Sequence, residues 1–326
     1  MDKYLVTGVA GFIANKVTEM LLEEGHQVIG MDNMNDAYDV RIKEYRLNRL
    51  SGYPGFEFHR QDISEKEPIL NLAKKMEGAK AVINLAARAG VRASVKDPWV
   101  YVDTNMTGTL NLLEICRQIG IPKMVLASTS SIYGEDAPLP TPETADSSLP
   151  LQPYAASKKG AEAMAHAYHF LHGIDVTVVR YFTVYGPAGR PDMVMYRFVK
   201  WLVEGQALHL NGDGSQSRGF TYVDDIARGT IQALRPMGYE VINLGGHEKI
   251  TIRDLITLLE EITGNQAEII HHPFPKADMR ANQADTQKAE ELLNWLPEIS
   301  LREGVSRTVQ WYLDNQEWAK DLDVGI

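Results

Sequence analysis

Six short apolar, β-branched runs recur through the first half of the chain: YLVTG, QVIGMD, FEFHRQD, AVINLAA, KMVLASTS and DVTVVRYF. Between most of them lie amphipathic stretches such as KVTEMLLEEG, NLAKKME and TNMTGTLNLLEICRQ. A strand too apolar to face water must be covered on both faces, and strands joined through helices pair in parallel. Such crossovers are right-handed, so the alternation predicts an α/β fold with a doubly wound parallel sheet. The second half reads differently. Proline and glycine gather at YGPAGRPDM and NGDGSQSRG, strand signals thin to ALHLNG, EVINLGG and AEIIHH, and helical patterns return at TIRDLITLLEEITG and beyond Leu301. We therefore expect a larger domain over residues 1–180, rejoined by about 219–246, and a smaller mixed α/β domain from 181–218 and 247–326.

Bulk properties narrow the partners. The 326 residues, 44% hydrophobic and 23% charged, suffice for a sizeable core and exceed one average domain. A net charge of −10 argues against nucleic acid or an anionic membrane surface, both of which reward a basic footprint. The one cysteine, Cys116 in LLEICRQ, cannot close an internal disulfide and reads as a packed thiol in a reducing compartment. MDKYLVTG enters a strand without a leader-like pattern, and no apolar run approaches the ~20 residues of a membrane span. A cytoplasmic protein is expected.

After the first strand comes Gly8-Val9-Ala10-Gly11-Phe12-Ile13-Ala14, opening the helix NKVTEMLLEEG. Glycines at a strand–helix junction let a pyrophosphate approach backbone N–H groups at the positive helix end. Asp32 closes the second strand twenty-one residues beyond Gly11. A carboxylate there accepts hydrogen bonds from a ribose diol and repels a 2′-phosphate, so NAD is expected over NADP. Asp62-Ile63, after the third strand, suits contact with the adenine, and the small Ala86 and Ala87 after the fourth permit close passage of a dinucleotide. Tight helix–sheet packing would equally explain the two alanines.

Tyr154 and Lys158 stand four apart in YAASK and share a helix face. An ammonium beside a phenol favours the phenolate and lowers a pKa otherwise about 10. Such a phenolate can take a proton from an alcohol while hydride leaves the same carbon. Twenty-five residues upstream of Tyr154, the hydroxyls Thr129, Ser130 and Ser131 emerge from a strand.

The set TGVAGFIA, MDN, NLAARAGVR, STSSIYG, YAASK, RYFTVYGPAGRPDM and FTYVDD, running in this order over almost the whole chain, resembles the extended short-chain dehydrogenases/reductases of nucleotide-sugar epimerase/dehydratase type. Through AGVR and YFTVYGPAGRPDM it is most similar to the UDP-glucuronate 4-epimerases. The resemblance implies a Rossmann domain with a smaller substrate domain, a retained NAD, and a homodimer. It implies that Tyr154 is the base, that Lys158 orients the nicotinamide ribose, that Thr129 hydrogen-bonds the reacting sugar hydroxyl, and that Tyr181 adjoins the cofactor. Family members that dehydrate or decarboxylate carry an acid at the positions of Ser130 and Ser131. A segment offering only hydroxyls favours oxidation, turning of the keto-sugar and re-reduction.

Thr183 stands where neutral-sugar epimerases usually carry Asn. With Arg190 it resembles the pair that holds a C6 carboxylate. Oxidising C4 of a glucuronate makes a β-keto acid, so a firm hold on that carboxylate would suppress loss of CO2. Arg218 and Arg280 match arginines that hold UDP in the family, and Arg92 and Arg88 are expected near the sugar. For each arginine the alternative is a surface ion pair or a loop contact. Departures from the family pattern are Ala14, Asn84, Arg88, Gly219 and Ala277. The histidines 166, 169, 172, 271 and 272 read as helix-face and strand-end residues, and no metal is expected. The reading is C4 epimerisation of UDP-glucuronate to UDP-galacturonate. UDP-glucose/UDP-galactose 4-epimerisation is the alternative, and UDP-glucuronate decarboxylation or a non-catalytic NAD-binding regulator stand further back.

Overall fold

A computed structural model describes every residue except 247, 276, 277 and 326. The expectation for Ala277 thus lies outside the described residues. The first six strands, β1 (Lys3–Thr7), β2 (Gln27–Asp32), β3 (Phe56–Arg60), β4 (Ala81–Asn84), β5 (Lys123–Thr129) and β6 (Asp175–Tyr181), join Tyr239–Leu244 in one seven-stranded sheet. Its order is β3-β2-β1-β4-β5-β6 with Tyr239–Leu244 at the far edge, and all pairs are parallel. Helices cover both faces, with one apolar core around Val6, Val17 and Trp295 and another around Leu5, Leu112 and Val178. This is the doubly wound α/β sheet expected from the alternation. Cys116 lies in the second of these cores, where burial pushes its thiol up to about 12.

The strand order reverses between β1 and β4, and the chain leaves both strands there to opposite sides. A parallel doubly wound sheet opens its crevice at such a point, beyond the carboxyl ends of the strands. The helix Phe12–Glu23 starts in that crevice directly after β1. Pro153–His172 crosses beside β5, started by Pro153 in its first turn and ended by Gly173 in the left-handed region.

The second layer is built on Ser217–Tyr222. It pairs antiparallel with Lys249–Thr251 and parallel with both Thr183–Tyr185 and Ala281–Asn282. Leu208–Asn211 and Ile269–His272 form a separate parallel pair. An aromatic core around Tyr196, Trp201, Trp311 and Tyr312 supports this layer. The chain returns to the main sheet with the helix Val223–Gln232 and the edge strand Tyr239–Leu244.

Where the layers meet, backbones nearly touch. A Cβ on Gly246 would lie 2.0 Å from the Phe220 carbonyl oxygen, and one on Gly219 would lie 2.9 Å from the Gly246 oxygen. Gly219 therefore has a packing reason: a side chain there needs the Gly246 segment to move. Gly246→Ala should destabilise the protein by about 2–3 kcal/mol through overpacking, read from the denaturation midpoint in urea.

Candidate active site

The glycine turn folds tightly against its neighbours. Gly8 N–H donates to Met31 O at 2.6 Å and Gly11 N–H to Gly8 O at 2.7 Å. Gly8 has φ +77°, and a Cβ there would come within 2.9 Å of the Ala86 backbone. Only glycine meets both conditions. The turn opens into a cleft of about 610 Å³ lined by Gly8, Gly11, Asp32, Asp62, Ile63, Ala86, Ala87 and Arg190 among others. Phe12 and Ile13 are the first two residues of the helix that points into it.

Asp32 is buried, its two oxygens accepting from Ala10 N–H (3.2 Å) and Met34 N–H (2.8 Å). These bonds aim the carboxylate and leave each oxygen a further lone pair. Asp62 accepts from the Ser64 amide (2.8 Å) and hydroxyl (2.7 Å) and from Asn33 Nδ2 (2.6 Å). Burial pushes its pKa up, but these bonds outweigh it and hold it below the ordinary value. One expected cofactor residue sits elsewhere: the Tyr181 ring is packed in the core, and its hydroxyl bonds Thr230 at 2.8 Å. The end of β6 turns that side chain to the helix Val223–Gln232. Ala14 is buried in the same core, and Asn84 bridges Thr7 (2.8 Å) and Thr109 (3.1 Å), tying β1 and β4 to the helix Gly108–Ile119.

Thr129 ends β5, and its Oγ1 accepts from the Ser131 amide at 3.1 Å. That leaves its single hydroxyl proton to donate. Tyr154 and Lys158 project from the first two turns of Pro153–His172. Desolvation pushes the Tyr154 phenol above its ordinary value, opposed by a hydrogen bond to Thr129 and by the charge of Arg190. The sequence expectation of a phenol lowered by Lys158 is thus corrected: burial outweighs the groups that favour the phenolate. Lys158 is itself lowered to about 8 by burial, with Glu162 pulling the other way.

Residues that sequence reasoning passed over hold this group in place. Glu162, one turn beyond Lys158, accepts from Arg180 Nε (2.9 Å), Arg180 Nη2 (2.8 Å) and Ser128 Oγ (2.6 Å). Its i+4 spacing from Lys158 was the available signal. Asn105, in the π-helical turn Val102–Thr107, accepts from the Arg88 amide (2.9 Å) and donates to Arg88 O (3.0 Å) and Ser157 Oγ (2.9 Å). Ser157 in turn donates to Tyr154 O at 2.8 Å. No local pattern announces that chain of bonds.

Facing the second layer, Ser130 Oγ accepts from Asn282 Nδ2 at 2.8 Å, and Ser131 is partly exposed. Thr183 begins the strand Thr183–Tyr185. Arg190 stacks over Tyr38 at 5.2 Å and forks onto Asp192, with Nε at 3.0 Å and Nη2 at 2.6 Å. Arg88 approaches Tyr101, whose ring meets Tyr154 edge-on at 6.1 Å. Arg92 pairs with Asp278. Arg218 is spent on backbone carbonyls, Ser217 O at 2.8 Å, Met279 O at 2.7 Å and Arg280 O at 3.3 Å, while the exposed Arg280 stacks on Phe274 at 5.2 Å. In this structure Arg218 shapes the 279–280 segment, because strand pairing at Asn282 brings those carbonyls to it.

Comparison with known proteins gives this geometry its relatives. Residues 4–245 match the NAD dependent epimerase/dehydratase family. The chain belongs to that family. It is 54% identical over 325 residues, 99% of this chain and 100% of the other, to the UDP-glucuronate 4-epimerase of Thermodesulfobacterium geofontis. Among solved structures, the UDP-glucuronic acid 4-epimerase of Bacillus cereus, in complex with UDP-glucuronic acid and NAD, superposes with a TM-score of 0.90 at 37% identity, covering 96% and 99% of the two chains. The UDP-glucose 4-epimerase of Thermotoga maritima with UDP-glucose also gives 0.90, at 35% identity and the same coverage. The protein is an NAD-dependent member of this epimerase family, and its cleft fits the cofactor: a glycine cradle at a helix start, an aimed Asp32 and small Ala86 beside it.

Lys158 supplies two tests. Its folded pKa lies below its unfolded one, so the unfolded chain holds the proton more tightly. The resulting penalty is complete below pH 8 and relieved as pH rises from about 8 to about 10.5. Lys158→Met in NAD-free protein should therefore be more stable than the parent at pH 7, on the order of 2 kcal/mol, with the difference shrinking toward pH 10 in denaturant titrations. The same variant should lose about 10²–10⁴ in kcat, the usual span for acid–base machinery, in a steady-state assay.

Proposed function

We propose that the protein interconverts UDP-glucuronate and UDP-galacturonate at C4 through a transient 4-keto sugar. The observation that supports this is the hydrogen bond between Thr129 and Tyr154, with Lys158 one turn along the same helix, beside a segment, Ser130-Ser131, that holds no carboxylic acid. Bound NAD supplies the acceptor, and on the return step the donor, of the hydride at C4. Tyr154 as phenolate takes the C4 hydroxyl proton and returns it to the same oxygen after the keto-sugar has turned, so that hydride comes back to the opposite face of C4. Since burial opposes that phenolate, the positive charges of Arg190, Lys158 and the oxidised cofactor must stabilise it together. Thr129 donates its one free proton to the reacting oxygen and keeps it in line with Tyr154. Without an acid at 130 or 131, the hydroxyl beside the new carbonyl has no proton donor to help it leave as water.

Thr183 and Arg190 are the proposed hold on the C6 carboxylate. Arg190 comes to this task backed by Asp192, so its net pull on an anion is tempered while its two-pronged geometry stays fixed. That pairing also favours the second reading, a neutral UDP-hexose epimerase, shared by name with the Thermotoga neighbour. Arg218 and Arg280 remain candidates for the UDP moiety, with Arg218 acting through the segment it shapes, and Arg92 and Arg88 for the sugar. Residues 1–180 with about 219–246 would carry the dinucleotide, and 181–218 with 247–326 the nucleotide sugar. We further propose a cytoplasmic homodimer: exposed Val95, Trp99, Phe170 and Leu171 leave an apolar face on the helices Val91–Lys96, Trp99–Tyr101 and Pro153–His172. No helix among the described residues is long and apolar enough to cross a membrane.

The test is to incubate the protein with UDP-glucuronate and, separately, UDP-glucose, following sugar ring protons by NMR. Conversion of the first to UDP-galacturonate without pentose is expected. Turnover of UDP-glucose alone would remove the carboxylate role. Arg190→Ala should weaken uronate binding and raise the decarboxylated fraction. If neither changes, the hold is assigned to the wrong residue.

A further inference from the structure

Arg46 lies 1% exposed in the helix Val40–Leu50, and the acceptors of its guanidinium among the described residues are all neutral. Nε and Nη2 donate to Ala188 O at 2.9 and 2.7 Å, and Nη1 donates to Ala10 O at 3.1 Å and to Tyr38 Oη at 2.9 Å. The guanidinium carbon lies 5.8 Å from the Phe12 ring and 5.6 Å from the Tyr38 ring. The backbone is pinned as well: Asn15 Nδ2 donates both to Arg46 O at 2.9 Å and to Val9 O at 3.2 Å.

These partners belong to two separate parts of the site. Val9, Ala10 and Phe12 form the glycine turn and helix start, whereas Ala188 belongs to the loop that carries Arg190. Ala188 has φ +52°, a left-handed conformation unfavourable for an alanine, which persists only where surroundings hold it. The two bonds from Arg46 to its carbonyl are that hold. Burying a cation without a counter-charge is also unfavourable, and carbonyl dipoles and ring faces compensate only in part. The missing anion is what a helix start next to Phe12 would receive, a dinucleotide diphosphate.

We propose that Arg46 is a positioning residue for NAD. It staples the glycine turn to the 186–190 loop so that the two form one cradle, and its unbalanced charge is completed by the bound diphosphate. Lys43, one turn earlier, does not duplicate it, since its ammonium is committed to Asn35 O (2.7 Å) and Asn35 Oδ1 (3.0 Å). The assignment does not depend on which sugar is turned over.

The experiment uses NAD-stripped full-length protein carrying Arg46→Met or Arg46→Lys, with NAD and UDP affinities measured separately by calorimetry and melting recorded with and without NAD. The Met variant should bind NAD about tenfold more weakly or worse, the scale of lost charge-assisted hydrogen bonds. The Lys variant keeps the charge but cannot span Ala10 and Ala188, and should be weakened by about threefold or more. UDP affinity should stay within about twofold of the parent in both, and the rise in Tm on adding NAD should shrink in the same order. NAD affinity within about twofold of the parent would overturn the proposal, as would parallel loss of NAD and UDP binding, which marks a general structural role. Should the Met variant fail to fold, the Lys variant decides by the same criteria.

Discussion

The ion pair between Glu162 and Arg180 is the interaction on which the rest of the site depends. Both side chains are about 4% exposed, and they meet through two parallel hydrogen bonds with Ser128 as a third partner. Ser128 precedes Thr129, Glu162 follows Lys158 by one turn, and Arg180 precedes Tyr181, so one contact fixes β5, β6 and the helix Pro153–His172 to each other. Arg180 extends the network to Tyr133 Oη at 2.9 Å, and that hydroxyl donates to Asn243 Oδ1 at 2.7 Å on the edge strand. A buried pair of this kind adds little net stability, because desolvation offsets the attraction. What it provides is a single allowed arrangement, since separating the partners would strand two charges in the core.

Charge in this acidic protein is spatially sorted. The net charge is −10, yet Lys43 and Arg190 line one cleft, and Arg46, Arg88 and Arg190 are close enough to disfavour the charge on Lys43. Burial lowers Lys43 and Lys158, against carboxylates that favour their charged forms. Several of these cations are committed to neutral or internal acceptors, as Arg46 and Arg218 are. They act by shaping backbone as much as by attracting anions. An anionic dinucleotide and a nucleotide diphosphate would enter a field prepared by a minority of the chain's charges.

Close backbone approach supplies the other organising element. Gly8 against Ala86 sets the floor of the cleft, and Gly219 against Gly246 sets the seam between the layers. Across that seam Asn282 reaches Ser130, so the 129–131 segment is oriented partly from the second layer. A side chain at either crossing would separate elements whose functional atoms have to meet.

The alternation of short apolar runs with amphipathic stretches was enough to determine a doubly wound parallel sheet, because a strand buried on both faces and joined through helices has few other solutions. Local spacing likewise determined the glycine turn, Asp32 and the Tyr154–Lys158 pair, each a matter of residues within one or two helical turns or one strand–helix junction. Tertiary structure decided the rest. It turned the Tyr181 side chain into the core, gave Arg218 to carbonyls, raised Tyr154 by burial where spacing alone suggested a lowered phenol, and recruited Arg46, Asn105, Glu162 and Asn282. Desolvation and long-range hydrogen bonds depend on which distant segments are packed together. Arg46 and Ala188 are 142 residues apart and Ser130 and Asn282 152, beyond the reach of any local pattern.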